Sequence, residues 1–108
     1  MSTDLTALRC RPLDGGEPMA LEEIDDHLAL VPGWALVHGA LQKVFVFDDY
    51  GRTLGFVNAV AWIAQREDHH PEIAFGYNRA TLRLDTHSVG GISINDFICA
   101  AKVDALLA

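Results

Sequence analysis

Two imidazoles and two carboxylates fall within Asp68-His69-His70-Pro71-Glu72, and a third imidazole, His87, follows Thr86 farther along the chain. Histidine gives and takes protons near neutral pH, so acid–base transfer is the first chemistry this set offers. Metal binding is the next, because three histidines and a nearby carboxylate are zinc-ligand types. The spacing opposes it: neighbours at i and i+1 diverge on any regular element, a helical zinc pair stands at i and i+4, and no cysteine is close in sequence. No metal is therefore expected. Nucleophilic catalysis has less to stand on, since Ser88 and Ser93 lie in no elbow-like motif and Cys99 falls in an apolar helical pattern. His27 and His38 fall on a helix surface and in a turn, where a structural role is the plainer reading.

The elements that must position these groups follow from periodicity. Leu21, Ile24 and Leu28 recur at helical spacing until Pro32-Gly33 stops the run, giving a first helix. Trp34 to Val37 and Leu41 to Asp48, separated by His38-Gly39-Ala40, predict a hairpin. Asp48 and Asp49 offer acceptors to a second helix, whose face is predicted at Leu54, Val57, Ala61 and Ala64, widened by Phe56, Val60 and Ile63, and which Pro71 ends. A stripe so broad implies packing on a sheet and on something else, such as a second subunit. Alternation through Ile73, Phe75 and Tyr77, then Ala80, Leu82, Leu84 and Thr86, gives a second hairpin, with His87 on the side of Arg83 and Asp85. Ser93-Ile94-Asn95-Asp96 has capping-box spacing for a third helix that presents Ile94, Phe97, Ile98, Ala101 and Ala105. The expected class is α+β, in the order α-β-β-α-β-β-α, with a four-stranded antiparallel sheet covered on one face by helices. In this frame His69-His70 occupy a helix C-terminus, where histidines also serve as caps, so the pair alone leaves capping and catalysis equally open.

The bulk properties bound the rest. A length of 108 residues fits one domain spanning 1–108, and Pro12, Gly15, Gly16 and Pro18 mark residues 1–20 as an extended or loosely held arm. A hydrophobic share of 50% excludes a disordered chain, and a net charge of −7 argues against nucleic acid or an anionic membrane as a partner. The absence of a basic segment leading into an apolar run, and of any apolar stretch of membrane-spanning length, makes the cytoplasm the expected location. Cys10 and Cys99 form no ligand-spaced pair and are expected as reduced thiols.

Taken together, Asp68-His69-His70-Pro71-Glu72, Tyr77-Asn78, Leu84-Asp85-Thr86-His87, Gly91-Ile92-Ser93 and Asp96 resemble the pterin-4a-carbinolamine dehydratases. Cys10 with Gly15-Gly16, Pro32-Gly33-Trp34, and Phe45-Val46-Phe47 with Phe56 resemble the bacterial branch, so the likeness covers nearly the whole chain. It implies the same sheet and helices, dimers through the sheet and often tetramers through helices. It also implies dehydration of 4a-hydroxytetrahydrobiopterin, the by-product of aromatic amino acid hydroxylases such as phenylalanine hydroxylase, to quinonoid dihydropterin, with no metal or organic cofactor. That elimination needs one proton delivered to the departing hydroxyl and one removed from N5, which two imidazoles of opposite protonation provide. By the resemblance, His69 and His87 transfer protons, while His70, Asp68, Pro71 and Thr86 hold the pterin. Gln65, where relatives often carry an acid, and Ile73, where an aromatic residue often stands, depart from the pattern. Some related proteins bind transcription factors or assist Rubisco assembly, so a non-enzymatic scaffold or assembly chaperone is the alternative function.

Overall fold

The computed structural model describes residues 4–108. After a 3-10 turn, Leu5–Ala7, the chain forms α1 (Leu21–Leu28), β1 (Ala35–Val37), β2 (Ala40–Val46), α2 (Tyr50–Glu67), β3 (Glu72–Phe75) and β4 (Arg79–Leu84). A second 3-10 turn, His87–Val89, leads into α3 (Ile94–Ala105). The α-β-β-α-β-β-α order is the one the sequence predicts. All strand pairs are antiparallel and lie in the order β1-β2-β4-β3, so each hairpin contributes one central strand. The two hairpins join along β2 and β4, whose register runs from Leu41↔Leu84 to Val46↔Arg79.

Period-two alternation sends Ala80, Leu82 and Leu84 of β4, with Leu41 and Phe45 of β2, to the helical side, where all five are buried. Phe56, Val57 and Val60 of α2 and Phe97, Ile98, Ala100 and Val103 of α3 close over them in one continuous core. The other face of the sheet carries Gln42, Val44, Val46, Thr81 and Arg83, and among the described residues no helix covers it; Val44 and Val46 are exposed there. Among the described residues no helix is long and apolar enough to cross a membrane.

Three local expectations change. In α2 the inward stripe is Thr53, Phe56, Val57, Val60, Ala64 and Glu67, while Leu54 and Ala61 face outward. This helix is apolar around most of its girth, so periodicity alone does not select the buried stripe; Thr53 helps fix it, donating its hydroxyl to the Asp49 and Tyr77 carbonyls. The same helix stops before Pro71. Asp68 adopts a left-handed conformation (φ 52°, ψ 42°), and the His69 N–H closes back on the Ala64 carbonyl at 3.2 Å, satisfying a helix-end acceptor. Leu21 and Ala105 lie exposed at opposite ends of their helices rather than in the core.

Leu82 has no solvent exposure and sits at the centre of the sheet, so Leu82→Ala removes both transfer energy and packing. The variant is expected to lose about 2–5 kcal/mol of stability. Urea unfolding followed by circular dichroism should show a lower midpoint with an unchanged slope.

Candidate active site

The start of α3 is built around a carboxylate. Ser93 caps the helix by accepting the Asn95 N–H, and Asp96 reaches back to accept the Ser93 N–H at 2.9 Å, completing the capping box. A surface capping box ends there, but Asp96 has no solvent exposure and continues inward. Its Oδ2 also accepts from the Thr86 hydroxyl at 2.8 Å, and its Oδ1 lies 2.6 Å from His69 Nε2. Thr86 has one hydroxyl proton, committed to the carboxylate, so in the 2.6 Å contact between Thr86 Oγ1 and Ser93 Oγ it is Ser93 that donates. A buried carboxylate thus receives partners on both oxygens, as an ion removed from water requires.

His69 follows immediately after the left-handed turn at Asp68, which swings its ring from the end of α2 towards the start of α3. Burial of the ring disfavours the imidazolium, but the hydrogen bond and charge of Asp96 outweigh it, and the His69 pKa lies above the ordinary histidine value. With Nε2 turned to the carboxylate, Nδ1 is the nitrogen left for exchange with a ligand.

Of these groups, His69 and Thr86 border a cleft of about 420 Å³. It is lined by Glu67, Asp68 and His69 at the end of α2, by Thr86 and Ser88 in the turn after β4, and by Asn95. The N-terminal segment, residues 10–14, completes the lining. That segment is held at two places. The buried carboxylate of Glu67 accepts the Cys10 N–H at 2.9 Å and pairs with Arg9 at 3.0 Å, while the Asn95 side chain accepts the Arg11 N–H and donates to the Arg11 carbonyl. Burial raises the Glu67 pKa, but the Cys10 N–H and the charges of Lys102, Arg9 and Arg66 reverse this and hold it below the usual carboxylate range. Cys10 and Cys99 are free thiols 3.6 Å apart; the contact with Cys99 lowers the Cys10 pKa, and the same contact together with burial raises that of Cys99. Farther on, Gly91 permits a close approach, since a Cβ there would meet Pro18 Cβ at 2.7 Å, and the Met19 N–H bonds the Ile92 carbonyl beside it.

Of the site residues expected from sequence, Asp68, His69 and Thr86 share this cleft. Pro71 instead borders a small apolar void beneath His69, together with Leu82, Leu84 and Cys99. His70 and His87 are exposed and are not among the cleft's lining residues. His87 opens the 3-10 turn rather than ending a strand, so strand parity does not govern its ring; its neighbours Thr86 and Ser88 are the lining residues. Gln65 is exposed. Asp96, Ser93, Asn95 and Glu67 were not among the expected site residues. The signal for Asp96 was present in the Ser93-to-Asp96 spacing, which pointed to a helix start but not to the carboxylate's second oxygen.

A family model described as pterin 4 alpha carbinolamine dehydratase matches residues 17–106. A relative from Nitrosospira multiformis bearing the pterin-4-alpha-carbinolamine dehydratase name is 47% identical over 104 residues, covering 95% of this chain and 92% of its own. Another so named, from Hydrogenovibrio crunogenus, is 52% identical over 95 residues, covering 86% and 84%. Among solved structures, a transcriptional coactivator/pterin dehydratase from Brucella melitensis superposes with a TM-score of 0.81 at 32% identity, over 85% of this chain and all of that one. A pterin dehydratase-like protein described as a RuBisCO assembly factor in the alpha-carboxysome gives a TM-score of 0.60 at 31% identity, over 69% of this chain and 89% of that one. With a family match running over most of its length and relatives near half identity, the chain belongs to the pterin-4-alpha-carbinolamine dehydratase family.

Proposed function

We propose that this chain removes water from a 4a-hydroxytetrahydropterin, with 4a-hydroxytetrahydrobiopterin the expected substrate, to give the quinonoid dihydropterin. The observation that carries the reading is the His69–Asp96 pair, 2.6 Å apart at the edge of a cleft large enough for a bicyclic ring. In the elimination the C4a–O bond breaks, N5 loses its proton, and the C4a–N5 double bond forms. His69, its Nε2 turned to Asp96, exchanges one of the two protons through Nδ1. His87 is assigned the other, because its chain neighbours on both sides line the cleft and its exposed ring is free to turn towards a ligand. His70 and Asp68 are assigned to holding the pterin, with Thr86 acting through its bond to Asp96 and Pro71 by packing beneath His69. No step needs a metal or an organic cofactor. The uncovered sheet face with exposed Val44 and Val46 supports assembly into homodimers.

A second reading, a binding role without catalysis, draws on the likeness to the protein described as a RuBisCO assembly factor. The two separate by assay. In a phenylalanine hydroxylase reaction, added protein is expected to speed decay of the 4a-carbinolamine absorbance, and His69→Ala to lose about 10²- to 10⁴-fold of that acceleration. No acceleration by the wild type over the spontaneous rate rejects the enzyme, and co-purification of a large partner unaffected by His87→Ala favours the binding role.

The His69–Asp96 pair also sets a pH signature. Because the folded pKa of His69 is raised, its charged interaction contributes stability in full below the unfolded value of about 6.5 and loses it as pH rises through the folded value. Asp96→Asn is therefore expected to lower the His69 titration midpoint seen by NMR. Its stability deficit against wild type in urea should be larger near pH ~6 than near pH ~9. A His69 midpoint unchanged in Asp96→Asn would contradict this account of the pair.

A further inference from the structure

Asn95 and Glu67 are buried polar side chains whose hydrogen bonds go to the backbone of a segment far away in sequence. Asn95 engages both backbone groups of Arg11, with its Nδ2 2.7 Å from the carbonyl and its Oδ1 3.2 Å from the N–H. Glu67 takes the Cys10 N–H one residue earlier. Neither is consumed by its own helix: the N-terminal donors of α3 are served by Ser93 and Asp96, and Glu67 lies at the end of α2 where helix donors are already satisfied. Burying such groups costs free energy unless each finds a partner; Asn95 finds its partners in the Arg11 backbone, and Glu67 in the Cys10 N–H together with the charges of Arg9 and Lys102. The segment they hold runs before the stretch that the family model matches, 17–106, while both clamps lie inside it. Its residues Arg11 and Asp14 border the same cleft as Asp68 and His69.

We propose that residues 10–14 form a working wall of the ligand cleft, and that Asn95 and Glu67 are positioning residues that act on the ligand through this wall. The ligand class is a flat heterocycle with hydrogen-bonding edges, and the inference rests on the reading of the cleft as the pterin site. A loosened wall weakens capture of the substrate without touching the His69–Asp96 pair, so the loss falls on KM rather than on kcat.

The structure also supplies a reporter and a rescue. Cys10 sits on the wall and Cys99 on α3, their sulfurs 3.6 Å apart. Exchange with oxidised glutathione would join them: one thiolate displaces a glutathione thiol to give a mixed disulfide, and the other displaces the second glutathione, leaving an S–S bond of about 2.05 Å and two free glutathione thiols.

In Asn95→Ala we expect KM to rise about tenfold with kcat within about threefold of wild type, and Cys10 to react faster with a chromogenic disulfide reagent. Oxidation to the Cys10–Cys99 disulfide, verified by mass, should return KM towards the wild-type value. Arg11→Pro keeps every buried side chain but removes the N–H that Asn95 accepts along with the Arg11 side chain, so it serves if Asn95→Ala does not fold; its KM rise should exceed that of Arg11→Ala, which loses the same side chain and keeps the N–H. A faster-reacting Cys10 with unchanged KM overturns the proposal, as does a KM rise that the disulfide leaves in place. Calorimetric binding of 7,8-dihydrobiopterin separates this from the dehydration reading. A wild type that binds the ligand without catalysis, and binds it more weakly once loosened, sinks the dehydratase and keeps the wall. A wild type that dehydrates normally beside a loosened variant of equal KM sinks the wall alone. A wild type that neither catalyses nor binds sinks both.

Discussion

A charged carboxylate with no access to water, Asp96, is the constraint around which this end of the molecule is organised. Left alone in an apolar interior it would cost several kcal/mol, so it exists there only because donors converge on it from three separate elements. The backbone of Ser93 comes from its own helix start, the hydroxyl of Thr86 from the turn after β4, and the ring of His69 from the end of α2. One anion thereby joins α2, α3 and the sheet's last crossover, and the geometry of the imidazole is a by-product of satisfying it. A helix-capping motif has been extended into a device for orienting an imidazole.

Fold and site differ in how far the sequence reveals them. The strands of both hairpins were legible because a sheet with one buried face imposes strict alternation, as at Ala80, Leu82 and Leu84. The start of α3 was legible because Ser93 and Asp96 interact within a single turn. What escaped was non-periodic or long-range. The inner face of α2 was ambiguous because Leu54 and Ala61 are as apolar as their buried neighbours, and only tertiary contacts choose between them. The stop at Asp68 depends on one residue entering the left-handed region, which aspartate tolerates but does not announce.

The site was half legible for the same reason. His69 and Asp68 stood out by residue type and Thr86 by the family resemblance, and the three lie along one cleft, whereas Glu67 and Asn95 are unremarkable in type and interact with Cys10 and Arg11, which sit in a stretch with no period of its own. Side chain to backbone contacts spanning most of the chain leave no pattern in a single sequence. His87 shows the complementary limit: its identity was visible, but the 3-10 turn that carries it removes the parity by which its direction would be inferred.

No residue of the four strands lines the cleft; it is assembled from helix ends, the turn after β4 and the N-terminal segment. The bare side of the sheet, with Gln42, Val44 and Val46, contributes none of those lining residues. Substitutions at Val44 or Val46 therefore redraw that face while every residue bordering the cleft stays as it is.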